Sequence, residues 1–174
     1  SIIKRSLILK KKYFMNFFRR RCIIVLLILS NTFLFAQDYY LESFKPFDES
    51  IPSPEEFLGY PIGDYHTRHD LVVAYMYTLA ELSNKASVSV YGKSHENRKL
   101  LLLQIASPSN LENLETIKQR HLEVVDPNTD VSDFNGLPLF INLAYGVHGN
   151  EPSSTEAAML TAYTLVASQS EAVA

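Results

Sequence analysis

Cysteine is nearly absent from this chain, which has one Cys in 174 residues, so a framework of disulfide bonds is excluded. Acidic residues are absent from residues 1–36, which carry eight Lys/Arg. Residues 37–174 hold the other eight Lys/Arg and all 19 Asp/Glu, a balance of −11. An acidic body of this kind gives no reason to expect a nucleic-acid partner. The basic head indicates a segment used for targeting.

The apolar stretch in the basic head, Cys22–Ala36, is short of the roughly 20 residues that a transmembrane helix needs. It follows a positively charged MNFFRRR segment that begins at Met15, which is the pattern of a secretory signal peptide over residues 15–36. We therefore expect a secreted or periplasmic protein without stable membrane insertion after cleavage; a retained anchor is the alternative. Residues 1–14 contain no Met and are interpreted as translated upstream sequence.

A proline-rich lead-in precedes the part of the chain that is predicted to fold. Residues 37–63 hold four of the eight prolines and show little periodicity, so they are expected to be extended. Residues 64–174 form the predicted folded part. A helix is predicted over 68–83, because Thr67–Asp70 matches a capping box and apolar residues follow at helical spacing. These residues are Leu71, Val72, Tyr75, Leu79 and Leu82.

Two strands joined by a polar turn are predicted next. Ala86–Tyr91 alternates and is rich in β-branched residues, while Lys99–Ala106 is an almost continuous apolar run. The polar segment Gly92–Arg98 between them indicates an antiparallel hairpin.

Four further segments complete the predicted elements. They are a helix capped by Ser109 or Asn110, a loop over 126–136, a third strand over Leu137–Leu143 and a buried helix over Ser153–Ser168. The order α-β-β-α-β-α contains no internal repeat. It predicts an α/β domain with a mixed β-sheet flanked by helices on both faces.

His148 and Glu151 lie in the turn that leaves the predicted third strand, at the carboxyl edge where open α/β sheets bind ligands. Gly146 and Gly149 allow unusual backbone angles around the histidine, and Pro152 suits the first turn of a helix. Imidazole and carboxylate are both zinc ligands, and a catalytic zinc takes three protein ligands and a water. The spacing alone also fits a glutamate that interacts with a helix N-terminus beside an incidental histidine.

Three segments, taken in chain order, resemble segments of one enzyme family. Tyr65–Ser83 is similar to its first helix, and SVYGKSHENRKLLLLQIA is similar to its G-x-S-x-E-G-R-x-L hairpin. GVHGNEPSSTEA contains the His-x-x-Glu that the family carries at this turn, often as H-G-N-E followed by Pro or Ala. The family is the zinc carboxypeptidases, the metallopeptidases that include carboxypeptidases A, B, N and E. Asn97 and Ser154 depart from the pattern, since each stands where glycine is common.

The resemblance implies that His148 and Glu151 are two ligands of a Zn²⁺ ion, and that a zinc-bound water attacks a C-terminal peptide bond. The partners would be the C-termini of peptides or proteins. The family's second zinc histidine, its substrate-binding residues and its catalytic glutamate come later in the chain, so no catalytic residue is assigned here. Residues 64–174 are therefore expected to be the N-terminal part of a peptidase catalytic domain, and the chain to be an incomplete, inactive fragment.

Two other functions stay open. Amidohydrolases of the succinylglutamate desuccinylase and aspartoacylase kind also carry H-G-N-E and would release an acyl acid from an N-acyl-amino acid. The hairpin motif and the export signal favour the peptidase over this alternative. A non-catalytic binding module that retained two ligands is the third hypothesis, and it becomes the best one if the gene ends at Ala174.

Three further side chains need an interpretation. His66 and His69 form an H-x-x-H pair at the start of the first predicted helix. A second metal site is one interpretation, but the position favours a pair that faces solvent. Tyr145 is expected either to line the ligand crevice or to be a buried aromatic at the end of the third strand.

Overall fold

The computed structural model describes residues 19, 21, 40–130, 132 and 134–173. Apart from residues 19 and 21, the predicted upstream segment and signal peptide lie outside the described residues. Within those residues, no helix combines the length and the apolar character that a membrane crossing requires.

The chain divides into two compact units, Ser1–Glu42 and Ser43–Ala174. The second unit contains α1 (Pro54–Leu58), α2 (His69–Leu82), β1 (Ala86–Lys93), β2 (Lys99–Ile105), α3 (Pro108–Glu112), α4 (Leu114–Val125) and α5 (Pro152–Ala167). The two long predicted helices, 68–83 and 153–168, correspond to α2 and α5 and are confirmed to within one residue at each end.

The core of the second unit forms between α2 and α5. Tyr75 and Leu79 of α2 and Met159 of α5 have no exposed surface. Burial of an apolar side chain of this size contributes about 1.5–3 kcal/mol. Burial also raises the pKa of the Tyr75 phenol. The hydroxyl therefore stays protonated, and it donates a hydrogen bond to the Pro52 carbonyl at 2.9 Å.

A short helix interrupts the lead-in that was predicted to be extended over residues 37–63. α1 begins with a capping box, in which Ser53 Oγ accepts from the Glu56 N–H and the Glu56 carboxylate accepts from the Ser53 N–H at 2.7 Å. The ring of Phe57 contacts that of Tyr75, with centroids 5.1 Å apart. The proline-rich segment thus packs on the core through the aromatic ring of Phe57.

β1 and β2 form the antiparallel hairpin that the sequence predicts. The register runs from Ala86 opposite Ile105 to Lys93 opposite Lys99. In the turn, Asn97 has a φ of 60°. Glycine adopts this left-handed conformation at least cost, which gives a physical reason for the glycine that the resembled hairpin carries there.

The helix predicted to be capped by Ser109 or Asn110 is two helices, α3 and α4. The Ser107 hydroxyl caps α3 by accepting the Asn110 N–H, and Pro108 occupies the first turn. Asn113 ends α3 and begins α4. The predicted cap was wrong because Ser107, just before it, caps the helix instead.

Thr67 does not cap α2, which corrects the predicted capping box. Arg68 holds the cap position without a side-chain capping bond, and Asp70 pairs with Arg68 at 2.8 Å. Thr67 instead donates its hydroxyl and its N–H to Glu156 Oε1, at 3.2 and 3.3 Å. Both residues are buried, so these bonds join the start of α2 to α5 through the interior.

The third strand predicted over Leu137–Leu143 is not formed. Residues 137–146 adopt neither strand nor helix, and Leu139 and Ile141 are 86% and 80% exposed. The sheet within the described part of the chain consists of β1 and β2 alone, so the predicted mixed sheet is absent there. Apolar character alone was insufficient, because a strand also needs a neighbouring strand for its N–H and C=O groups.

His121 of α4 contacts the segment 137–143 in two ways. His121 Nε2 donates a hydrogen bond to the Pro138 carbonyl at 2.7 Å, and its ring meets that of Phe140 edge-on, with centroids 4.9 Å apart. The structure thus combines helices with a small antiparallel sheet, and helices on both faces of a larger sheet stay a prediction.

Candidate metal-binding turn

The candidate site lies in Tyr145–Glu151, the segment that leads into α5. Pro152 is the first residue of α5, where its fixed φ suits a helix start. Gly146 has a φ of 66°. A Cβ added there would lie 3.6 Å from Thr155 Oγ1, which is an ordinary contact distance. The backbone angle, and not the available space, therefore favours glycine at this position.

Three hydrogen bonds close this segment into a compact turn. The Glu151 N–H donates to the His148 carbonyl at 3.2 Å, and the Ser154 N–H donates to the Glu151 carbonyl at 3.3 Å. The Ser154 hydroxyl then accepts a hydrogen bond from the Gly146 N–H at 2.8 Å. The two ends of the turn are thereby tied together, with His148 and Glu151 between them.

Tyr145 attaches the start of the turn to α5. Its hydroxyl donates to Thr161 Oγ1 at 2.9 Å, and Thr161 lies nine residues beyond the first residue of α5. The side chain is 39% exposed, so it is not the buried strand-end aromatic that was one of its two predicted roles. Whether it lines a ligand crevice stays a prediction.

The side chains of His148 and Glu151 are both exposed. Glu151 occupies the N-cap position of α5, yet its carboxylate makes no capping hydrogen bond. Glu151 thus lies at the helix N-terminus, as the alternative interpretation expects, but it does not cap the helix through its side chain. The structure brings the two residues together in one turn and leaves both side chains without a hydrogen bond or ion pair to any described residue.

The donor chemistry of this turn fits part of a zinc site. A neutral imidazole nitrogen and a carboxylate oxygen are two of the ligand types that Zn²⁺ takes. The described residues contain no group of three or more His, Cys, Asp or Glu that could hold a metal ion. The turn thus offers two ligands that are near in sequence and available, and a complete set is not assembled within the described part of the chain.

His66 and His69 do not behave as a matched pair. His66 is exposed, as predicted, but His69 is half-buried and its Nε2 atom is buried without a hydrogen-bond partner. The solvent-facing interpretation is wrong for His69, because the first turn of α2 lies partly against the rest of the fold. The described residues show no metal-binding cluster at this pair.

Sequence reasoning missed two polar contacts near the site. The Ser154 hydroxyl was noted only as a departure from glycine, and Glu156 was not singled out. The sequence signal for the Ser154 contact is a serine in the first turn of a helix, eight residues after a glycine. That signal is too common to identify a contact, because serine accepts or donates locally in many turns.

A family model described as zinc carboxypeptidase matches residues 72–174, which is more than half of the chain. The match covers most of α2, the hairpin, the turn with His148 and Glu151, and α5. No individual curated protein and no solved structure matches the chain.

Proposed function

Since this chain belongs to the zinc carboxypeptidase family, we propose that it is part of a secreted zinc-dependent carboxypeptidase that hydrolyses C-terminal peptide bonds of peptides or proteins. His148 and Glu151 are the proposed zinc ligands. The family assignment makes the chain part of a metallopeptidase hydrolase, and the identity of the ligands and the substrate is the proposed step.

One observation carries the proposal. His148 and Glu151 fall inside the matched region and occupy the same hydrogen-bonded turn, and neither side chain is engaged by another described residue. A surface turn that holds an imidazole and a carboxylate without using either for the fold is available for a ligand. In a family of zinc enzymes, that ligand is the metal.

The residues of the turn have distinct tasks in this reaction. The imidazole of His148 must be neutral and the carboxylate of Glu151 ionised for each to bind a metal. The Gly146 conformation and the backbone bond between His148 and Glu151 keep the two side chains on one turn. Bound zinc supplies Lewis acidity and lowers the pKa of its water toward about 7.

The catalytic site needs groups beyond this turn. A catalytic zinc takes a third protein ligand, and a general base must lie within hydrogen-bonding reach of the attacking water. We assign neither role to a described residue, since no third ligand lies close to the pair. We expect both groups from the part of the enzyme that completes the crevice around His148 and Glu151.

The metal assignment is tested in the full-length gene product by zinc content after equilibrium dialysis, with His148→Ala and Glu151→Gln measured beside the parent. His95→Ala is the matched control, because His95 is an exposed histidine in the hairpin turn. We expect both site variants to lose zinc and the control to retain it. Parental zinc content in both site variants would refute the assignment of these ligands.

The substrate assignment is tested on the full-length gene product with three substrates. These are a blocked peptide with a free C-terminus, the same peptide amidated at its C-terminus, and an N-acyl-amino acid. We expect release of the C-terminal residue from the first peptide only. Release of the acyl acid from the third substrate, without trimming of the first, would favour the amidohydrolase and reject the peptidase.

A further inference from the structure

Ser154 stands in the first turn of α5, and its side chain points back to the chain that leads into the helix. Its hydroxyl accepts from the Gly146 N–H at 2.8 Å, which is a short hydrogen bond for a neutral pair. In the resembled family, glycine is common at this position and could not make this contact.

The bond closes a loop that contains both proposed ligands. Gly146 precedes His148 by two residues, and Ser154 follows Glu151 by three. Between them, the structure describes one further bond that links the ligand residues, from the Glu151 N–H to the His148 carbonyl. Since both side chains are exposed, packing contributes little to their placement, and the hydrogen bonds of the turn carry more of it.

A second feature makes Ser154 suited to this role. Its backbone belongs to α5, which is buried against α2 through Met159. The Gly146 end of the turn is exposed and has a left-handed backbone angle. The hydrogen bond from Gly146 to the Ser154 hydroxyl therefore fixes the exposed end of the turn to the packed helix. A ligand site gains affinity when its groups are held in place before binding.

We propose that Ser154 is a positioning residue, which closes the turn through its bond to the Gly146 N–H and thereby preorganises His148 and Glu151 for one divalent cation. The inference rests on the proposed function, since it takes these two side chains as the ligands. Ser154 itself does not touch the metal.

The test compares Ser154→Ala with Ser154→Thr, which keeps a hydroxyl at the same branch position. Ser153→Ala is the matched control, because Ser153 is the neighbouring serine in the same helical turn and is exposed. Each variant is titrated with Zn²⁺ alone, its thermal unfolding midpoint is measured, and amide hydrogen exchange is followed at Gly146 without metal.

We expect Ser154→Ala to bind zinc roughly 2- to 10-fold more weakly, the change that the loss of one hydrogen bond produces. We expect faster amide exchange at Gly146 in this variant and an unchanged unfolding midpoint. The Thr variant and the Ser153 control should match the parent in zinc affinity and in exchange. A merely structural serine would lower the midpoint without a selective loss of zinc affinity.

Two results would overturn the inference, and they differ from failure of the proposed function. If the parent binds zinc through His148 and Glu151 but Ser154→Ala binds equally well, the inference fails and the proposed function stands. If Gly146 exchange is the same in the parent and in Ser154→Ala, the closing bond does not order the turn and the inference also fails. Absence of zinc binding by the full-length parent would reject both.

Discussion

The α2–α5 core and the turn that carries His148 and Glu151 are held in different ways, although α5 takes part in both. In the core, Tyr75, Leu79 and Met159 have no exposed surface, and apolar contact stabilises the helix pair. In the turn, both proposed ligands are exposed, and hydrogen bonds set the conformation. The difference teaches that the residues that stabilise the core are separate from the two proposed ligands, and that the two sets meet where α5 begins.

The largest expected effect follows from a substitution in the core. Leu79→Ala removes a fully buried side chain and is expected to lower the free energy of unfolding by about 2–5 kcal/mol. Leu139→Ala makes the same chemical change where the side chain is 86% exposed, and is expected to change it by less than about 0.5 kcal/mol. Urea unfolding measures both. Equal effects would show that residues 137–143 are packed like the core.

The next largest effect is expected at the two buried hydrogen bonds that join Thr67, just before α2, to Glu156 of α5. Glu156→Gln retains the shape of the side chain but weakens the acceptor for the hydroxyl and N–H of Thr67. Thr67→Val removes the hydroxyl donor and leaves the carboxylate buried with one bond fewer. We expect Thr67→Val to cost about 1–3 kcal/mol. Urea unfolding measures the cost, and Thr78→Val is a control, since that exposed hydroxyl bonds only within its own helix. A cost no larger than that of the control would assign no role to the Thr67–Glu156 bond.

A substitution in the turn is expected to act on binding more than on the fold. Gly146→Ala forces a left-handed angle on a residue with a Cβ, at a cost of roughly 1–2 kcal/mol in that conformation. Because the segment is exposed, the chain is expected to relieve this strain by opening the turn, so zinc affinity falls while the unfolding midpoint changes little. Gly149→Ala is the control, since Gly149 has no left-handed angle. Equal zinc affinity in Gly146→Ala and the parent would contradict this account.

The smallest expected effect is on the pH dependence of stability, through the exposed carboxylate of Glu56 in the capping box of α1. The Ser53 N–H and hydroxyl that face Glu56 lower the pKa of that carboxyl below its ordinary value of 4.5. A lowered carboxyl pKa gives stability that is present above pH 4.5 and is lost as the pH falls through the folded-state pKa. Glu56→Gln removes this titrating carboxyl and should therefore reduce the acid-induced loss of stability below pH 4.5, which is measured as the unfolding midpoint against pH. The parental pH profile in that variant would show that the Glu56 carboxylate does not contribute.

The elements with a strong local pattern were predictable from the sequence. Apolar spacing located α2 and α5, and alternation around a polar turn located the hairpin. The third strand was not predictable, because the apolar run 137–143 carries no information about a neighbouring strand. The capping box predicted at Thr67 was wrong for a related reason. The Thr67 hydroxyl donates to the carboxylate of Glu156, which is 89 positions away in sequence, and local sequence carries no information about that partner. The placement of His148 and Glu151 in one turn followed from the sequence, whereas the Ser154 bond required coordinates.

The exposed apolar side chains between residues 137 and 143 have a consequence for the behaviour of the protein in concentrated solution. Leu139, Phe140 and Ile141 form an uncharged run that is exposed to solvent, and exposed apolar side chains favour association between copies of a protein. Two copies that meet through this run would bury what each exposes alone. A single lysine in place of Leu139 would act as a gatekeeper against such assembly and leave the distant helix pair intact.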